Sequence, residues 1–295
     1  MRTVLRHAQE TQVHRLQQKS PLSASALRAM MELSLTGFGP SAGTAEERAQ
    51  DLVYKAMEAA TPAKRLRLAQ QALDLDPENA DALLMLADAS PIEGSKRIEV
   101  LRGVVAAAAK RLGSQAFKEL VPHFWGSHET RPYMRAREQL AEALQAAGRL
   151  DEAVREYEEM LRLNEKDNQG KRYELLCCLL ALGRLAPTQE LIGRFEADLT
   201  WNVVFAWGRV LERLLAKDEA AARQALVAAR KQNPHMEAFL TGRRKVPRNL
   251  PDSYSPGNAD EAAGYTEPLL MAWQPHDAAR AWLSVQAGST ALKNR

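Results

Sequence analysis

The chain has 295 residues, of which 26% are charged and 6% are aromatic, and its formal net charge is +3. Abundant Ala and Leu with few aromatic residues favour helices over sheets. So small a net charge does not by itself imply a polyanionic partner, and no apolar run reaches the roughly 18 residues that a membrane-spanning helix needs. We therefore expect no membrane association.

The N-terminal residues 1–44 are predicted to form a basic helical arm that ends in a linker. The glycine-containing stretch from Gly37 to Gly43 follows no strand and lacks the Lys of a P-loop, which favours a linker. Polar residues such as Arg6 and Glu10 interrupt the start of the chain, so we expect no signal peptide. The two cysteines, Cys177 and Cys178, are adjacent, which favours buried thiols in a reducing cytoplasm.

Two helical hairpins are predicted next, at residues 45–75 and 80–112. Thr61 and Pro62 place a proline at a helix start. The helical pattern then breaks over residues 112–130, which we interpret as an insertion. Its His123, His128 and Glu129 could suggest zinc, but no helix-borne His-Glu-x-x-His and no nearby Cys accompany them. A structural loop is favoured, with the aromatic residues at 124 and 125 packed inward, and no metal is expected.

The central stretch, residues 140–164, predicts two amphipathic helices folded back on each other. Apolar residues recur at helical spacing on both sides of Gly148, a residue that tolerates the left-handed conformation after a helix. So short a turn makes the two stripes face each other in an αα-hairpin. Small residues at Ala141 and Ala153 suit a close helix crossing. This pattern is typical of a tetratricopeptide repeat.

The same unit recurs with a period near 34 residues. Gly183 follows Gly148 by 35 residues, and helices are predicted to close at Asn164 and at Asn233, 69 residues apart. The predicted units are 45–77, 78–130, 131–165, 168–199 and 201–234. The fold class predicted is therefore all-α: an α-solenoid of about five tetratricopeptide-like hairpins with C-terminal capping helices. The domains are 1–44, 45–234 with its insertion near 112–130, and 235–295.

The region from residue 223 onward combines a basic stretch with apolar helices. Only Glu237 opposes the basic residues between 223 and 248, which are Arg223, Arg230, Lys231, Arg243, Arg244, Lys245 and Arg248. A solvated rim and contact with an anionic partner both remain open for this segment. The helices predicted at 259–273 and 277–285 carry Leu269, Leu270, Trp273 and Trp282. We expect them to cover the last repeat, as a solenoid end requires.

Several strings together indicate a family. They include His123-Phe-Trp-Gly with Glu129-Thr-Arg-Pro-Tyr-Met-Arg-Ala136, Leu161-Arg-Leu-Asn with Asp167-Asn-Gln-Gly170, and Asn233-Pro-His with Leu250-Pro-Asp-Ser-Tyr-Ser-Pro-Gly257. Over residues 48–283 the chain resembles bacterial tetratricopeptide-repeat proteins related to the suppressor-of-tumorigenicity-seven family. The resemblance implies an all-helical repeat protein and brings no catalytic residues. Glu165 stands where those proteins commonly have Pro.

The function predicted is a non-catalytic, cytoplasmic scaffold that binds a peptide or protein. No nucleophile elbow, metal cluster, P-loop or dinucleotide fingerprint is present in the sequence, so we expect neither an enzyme nor a cofactor. The alternative is binding of nucleic acid or another anionic partner through residues 223–248. That segment offers only Phe239 for base stacking, which makes nucleic acid the weaker hypothesis.

The binding groove is predicted along the first helix of each unit. Positions one turn apart on the same helical stripe face the same way, and here they mix apolar and charged residues, as a binding surface does. They could equally be solvated helix positions. The predicted peptide-binding residues are Leu84, Asp88, Arg135, Glu138, Glu142, Tyr173, Asn202, Phe205 and Arg209, with Asp81 and Cys177 on the same stripes.

Overall fold

The structure is a computed structural model and describes residues 44–250 and 254–293. These residues form fourteen α-helices, two 3₁₀ turns and no β-strand. The helices are α1 Ala45–Met57, α2 Pro62–Leu75, α3 Ala80–Ala89, α4 Gly94–Glu119, α5 Arg131–Ala146, α6 Leu150–Leu163, α7 Arg172–Ala181, α8 Leu185–Arg194, α9 Val203–Leu215, α10 Glu219–Gln232, α11 Met236–Leu240, α12 Ala259–Gly264, α13 Thr266–Trp273 and α14 Asp277–Lys293. The prediction of an all-α fold is confirmed.

Packing groups the described residues into two units. Unit 1 holds those up to Ala147 together with Arg162–Asn168, and unit 2 holds Gly148–Leu161 and those from Gln169 onward. This division falls inside the predicted repeat region rather than at either predicted domain boundary. The predicted arm, apart from Thr44, lies outside the described residues. None of the described helices is both long and apolar enough to span a bilayer.

The first described helix of unit 1, α1, is well capped. The Thr44 side chain accepts a hydrogen bond from the backbone N–H of Glu47, and the Glu47 carboxylate accepts one from the N–H of Thr44. Such a reciprocal box satisfies two donors that a helix start otherwise leaves unpaired. Helix α1 packs against α2, and α2 against α3. The small and branched residues at this contact form the core cluster Ala49, Val53, Ala69, Ala72 and Ala82.

The predicted insertion is built around aromatic side chains. Helix α4 continues to Glu119, beyond the predicted end at 112, although Gly113 interrupts it with φ 68°. Phe124 is completely buried, and its ring centroid lies 5.1 Å from that of Phe117 and 6.0 Å from that of Tyr133. Trp125 is only half-buried. The loop is therefore anchored by one aromatic side chain of the two that were predicted to pack inward.

Unit 2 is organised around α9, whose Phe205 and Trp207 are completely buried. Helix α9 packs against α10 along its length and also against α7. The crossing with α7 is close at Gly208, where an added Cβ would lie 3.1 Å from Cδ2 of Leu176 and 3.2 Å from Cδ1 of Leu180. Glycine at this point lets the backbones of α7 and α9 approach closely, because a side chain there would push the two helices apart.

The C-terminal helices are bound firmly into unit 2. Leu269 and Trp273 of α13 are buried, and α13 packs against α7 as well as α9. Trp282 is only partly covered and donates a hydrogen bond of 2.9 Å from Nε1 to Glu219. Leu269 and Trp273 were predicted to cover the fifth predicted unit. They are buried, but α13 packs mainly against α7 of the fourth predicted unit and less against α9 of the fifth.

The start of α12 is held by the buried carboxylate of Glu261. Its oxygens accept hydrogen bonds from the backbone N–H of Gly257 at 2.6 Å and from Nδ2 of Asn233 at 2.9 Å. Asn233 follows the end of α10, so the carboxylate ties the chain after residue 254 to the end of that helix. Removing either partner would leave a buried polar group unpaired, which costs about 1–3 kcal/mol.

Candidate functional site

Most of the predicted groove residues of unit 1 are buried or bound to neighbouring side chains. Leu84 is 3% exposed and belongs to the core. Arg135 forms two hydrogen bonds with the buried Asp81, from Nε at 2.7 Å and from Nη2 at 2.5 Å. Asp88 accepts hydrogen bonds from Arg97 at 2.6 Å and from Gln139 at 3.1 Å. The remaining two acids of the predicted groove, Glu138 and Glu142, are half-buried and exposed respectively.

The predicted groove residues of unit 2 are mainly buried. Phe205 has no exposed surface and meets the half-buried Tyr173 edge to face, with centroids 5.8 Å apart. The Asn202 side chain caps α9 by accepting from the N–H groups of Val204 and Phe205. Arg209 pairs with the buried Glu212 at 3.1 Å. Hydrophobic burial therefore turns Phe205 and Leu84 into core residues, and helix capping gives Asn202 a structural role.

A concave site lies elsewhere in unit 1. A pocket of about 460 Å³ opens between the first three turns of α1, the start of α3, the part of α4 just before Gly113, and the loop before α5 with the first turn of that helix. Its polar wall contains the carboxylates of Glu46, Glu47, Asp51, Glu78 and Glu129. The half-buried Tyr54 supplies aromatic surface, whereas Tyr133 touches the pocket but is only 3% exposed. The volume falls within the range of about 300–1,000 Å³ that is usual for ligand sites.

The helices place these side chains by simple spacing. Glu47, Gln50, Asp51 and Tyr54 lie at positions i, i+3, i+4 and i+7 of α1 and so share one face. The buried face of the same helix carries Ala49, Val53 and Ala56. Helix α1 is consequently amphipathic, and its polar stripe forms one side of the pocket.

Arg111 and His128 are the basic residues of the lining. Arg111 donates a hydrogen bond of 2.5 Å to the buried Asp76, which lies behind the pocket. The pKa of Glu46 is lowered, first by a hydrogen bond from its own backbone N–H and then by one from Thr44. Five carboxylates therefore surround the space, whereas its only guanidinium is already paired with a further acid.

Buried polar groups hold the pocket in shape. Asn79 caps α3 by accepting from the N–H of Ala82 at 3.0 Å, and its amide donates to Gln50 at 3.1 Å. Gln50 in turn donates to Asp81 at 3.2 Å, the residue that binds Arg135. The hydroxyl of Tyr133 accepts from Nε of Arg137 at 2.7 Å. Helices α1, α3 and α5 are thereby joined around one side of the pocket.

The predicted groove did not include this pocket, because groove residues were predicted only in units two to five. The polar stripe Glu47, Gln50, Asp51 and Tyr54 was the available signal. His128 and Glu129 were interpreted as parts of a structural loop, and the structure places both in the pocket wall. Within the described ranges, no three His, Cys, Asp or Glu side chains are grouped as a metal ion would require.

The basic segment 223–248 is partly neutralised within unit 2. Arg230 pairs with Glu237 at 2.6 Å, Arg223 with Glu219 at 2.5 Å, and Arg244 lies 5.0 Å from the centroid of Phe239. Residues 242–250 are all exposed and lie in neither a helix nor a strand. Binding of an anionic partner through this segment stays a prediction.

The cysteines occupy the core of α7. Cys177 and Cys178 have no exposed surface. Burial raises the pKa of Cys178 to about 12 and raises the pKa of Cys177 well above its ordinary value. Both are therefore thiols at neutral pH, and Cys177, which was placed on the groove stripe, faces the interior.

A scan of protein-family models, a search of curated proteins and a search of solved structures each found no match to this chain. The resemblance to tetratricopeptide-repeat proteins therefore stays a prediction.

Proposed function

We propose that this protein is a non-catalytic interaction scaffold that holds a peptide or protein segment in the pocket of unit 1. The pocket of about 460 Å³ is the observation that carries the proposal. It combines aromatic surface with polar groups that are fixed by neighbouring helices, which is how a surface anchors one side chain and orients a backbone.

The arrangement of helices supports the scaffold part of this proposal. Helices occur in all five predicted hairpins, with bounds close to those expected from the repeat period. Within unit 1, α3 packs against α5, and within unit 2, α7 packs against α9. These are contacts between the first helices of successive hairpins, as expected for a tetratricopeptide-like solenoid. We therefore retain the solenoid as part of the proposed function.

The test is selection of random nonapeptides displayed against the full chain, followed by calorimetry on an enriched peptide. Tyr54→Ala should weaken that peptide by about 1–3 kcal/mol, as truncation of an aromatic anchor does. The matched control is Tyr254→Ala, because Tyr254 is a 47% exposed tyrosine of unit 2. Failure to enrich any peptide, or equal weakening by both changes, would contradict the proposal.

A further inference from the structure

The charge of the unit 1 pocket assigns the class of partner. We propose that it binds a lysine or arginine side chain presented by an extended segment of a partner protein. This inference rests on the proposed function and specifies its ligand. It starts from the position of the carboxylates, which come from α1, from the turn before α3 and from the loop before α5. The acids thus face the space from different sides.

A long organic cation fits this distribution. Ammonium and guanidinium groups carry several N–H donors and can satisfy more than one carboxylate, while their aliphatic stems lie along apolar surface. Ala80, Ala108 and Leu112 supply such surface in the lining. Charge complementarity of this kind fixes orientation and speeds association.

The aromatic lining adds a second attraction for a cation. Tyrosine rings attract cations that lie over their faces. Unit 1 already contains an example, because the guanidinium of Arg137 lies 5.3 Å from the centroid of the Tyr133 ring. Tyr54 lines the same pocket and is half-buried, so part of its surface remains accessible. A partner's guanidinium can therefore contact both a carboxylate and an aromatic ring here.

An anionic side chain is disfavoured in the same space. An incoming carboxylate or phosphate would approach five carboxylates, and Arg111, the guanidinium of the lining, already pairs with Asp76. Like charges brought together at an interface suppress the wrong partner. The pocket therefore selects by sign as well as by size.

The experiment uses peptides enriched by display on the full chain. An enriched peptide is compared by calorimetry with a twin in which each arginine is citrulline and each lysine is norleucine, because these replacements keep the length and remove the charge. We expect the twin to bind about tenfold more weakly or worse, the effect of losing a hydrogen bond to a charged group. Added salt should weaken the parent peptide more than the twin.

Variants of the pocket provide the second arm. Glu46→Gln with Glu78→Gln removes two exposed pocket charges while preserving size, and we expect at least a severalfold loss of affinity for the parent peptide. Asp51→Asn added to this pair should deepen the loss. The control is Asp74→Asn with Glu99→Gln, two exposed acids of unit 1 outside the lining. Circular dichroism melts show whether each variant is folded, and the double variant serves if the triple one is not.

The outcomes separate this inference from the proposed function. Peptides that need Tyr54 but bind equally well as uncharged twins would overturn the basic side chain and leave the pocket as the site. Enrichment of peptides that contain no basic residue would likewise overturn the basic side chain and leave the pocket as the site. A third outcome is that the protein dimerises. If the dimer is lost in the Glu46→Gln, Glu78→Gln double variant and also in the Arg243→Glu, Arg244→Glu double variant, the pocket binds the basic loop of a second copy. That result would overturn the proposal of a different partner protein.

Discussion

The two units use the space between their helices differently. In unit 1, charged and amide side chains line the helices around the pocket, and about 460 Å³ stays open. In unit 2, the rings of Tyr173, Phe205, Phe195 and Tyr265 meet one another at centroid distances of 5.8–6.4 Å. Aromatic side chains bury large areas, and these four rings fill space between helices of unit 2. Phe205, which was predicted to line the groove, is therefore part of the core, whereas Tyr173 beside it is half-buried.

The largest expected effect is loss of the aromatic core in unit 2. Phe205→Ala should destabilise that unit by about 3–5 kcal/mol, because it removes a large side chain that no solvent reaches. Urea unfolding followed by tryptophan fluorescence measures this, with the buried Trp207 as a neighbouring reporter. Val227→Ala is the control, since Val227 is 69% exposed. A loss below about 1 kcal/mol for Phe205→Ala would contradict its place in the core.

The corresponding change in unit 1 breaks an ion pair. Asp81→Ala should cost about 2–3 kcal/mol, because it leaves the partly covered Arg135 guanidinium and the Gln50 amide without their acceptor. Asp88→Ala is the matched control, since the Asp88 side chain is 51% exposed and its pair with Arg97 should contribute less than about 1 kcal/mol. Equal thermal shifts for the two variants would show that the Asp81 network does not hold the helices of unit 1.

Replacing glycine by alanine is expected to affect stability differently at two positions, because only one of them lies at a close helix crossing. Gly208→Ala should destabilise unit 2 by about 1–2 kcal/mol, because its new methyl group would press on Leu176 and Leu180. Gly103→Ala in α4 should be neutral or stabilising by up to about 1 kcal/mol, since its added Cβ would meet nothing and alanine favours helix. Denaturant melts of both variants check this. Stabilisation by Gly208→Ala would contradict the close crossing of α7 and α9.

The smallest effect concerns pH and the thiols of unit 2. The folded-state pKa of Cys178 is about 12, above its ordinary value of 9.0, so folding favours the neutral thiol. Its contribution to stability is complete below about pH 9 and declines as the pH rises toward 12. A chromogenic disulfide reagent at pH 8 should label neither cysteine until urea unfolds the chain. Rapid labelling of the folded protein would contradict their burial.

The local pattern of the sequence predicted most of the helices but few of the residues that form the candidate site. Small residues and the glycines at 148 and 183 were enough to predict helix pairs near their observed bounds, because helical periodicity is a local signal. The roles of Phe205 and Asn202 depended on which neighbours cover them. Burial and capping partners come from packing, and spacing along one helix does not reveal them.

The pocket in unit 1 likewise depends on packing that the local sequence pattern does not reveal. Its α1 stripe was apparent in the sequence, yet Arg111 of α4 and His128 and Glu129 of the loop before α5 join it only when these elements pack together. Gly113 interrupts α4 with φ 68°, and the buried Phe124 anchors the loop that follows this helix. A site assembled from four separate stretches could be found only after the helices had been placed.

Hydrogen exchange of the full chain with an enriched peptide tests the central claim most directly. The account predicts slower exchange on peptide addition in residues 44–54, 78–80 and 128–133, and little change in Arg172–Ala181 or Val203–Leu215. The protection in unit 1 should disappear in Tyr54→Ala. Slower exchange confined to the helices of unit 2, with residues 44–54 unaffected, would contradict the assignment of the pocket as the binding site.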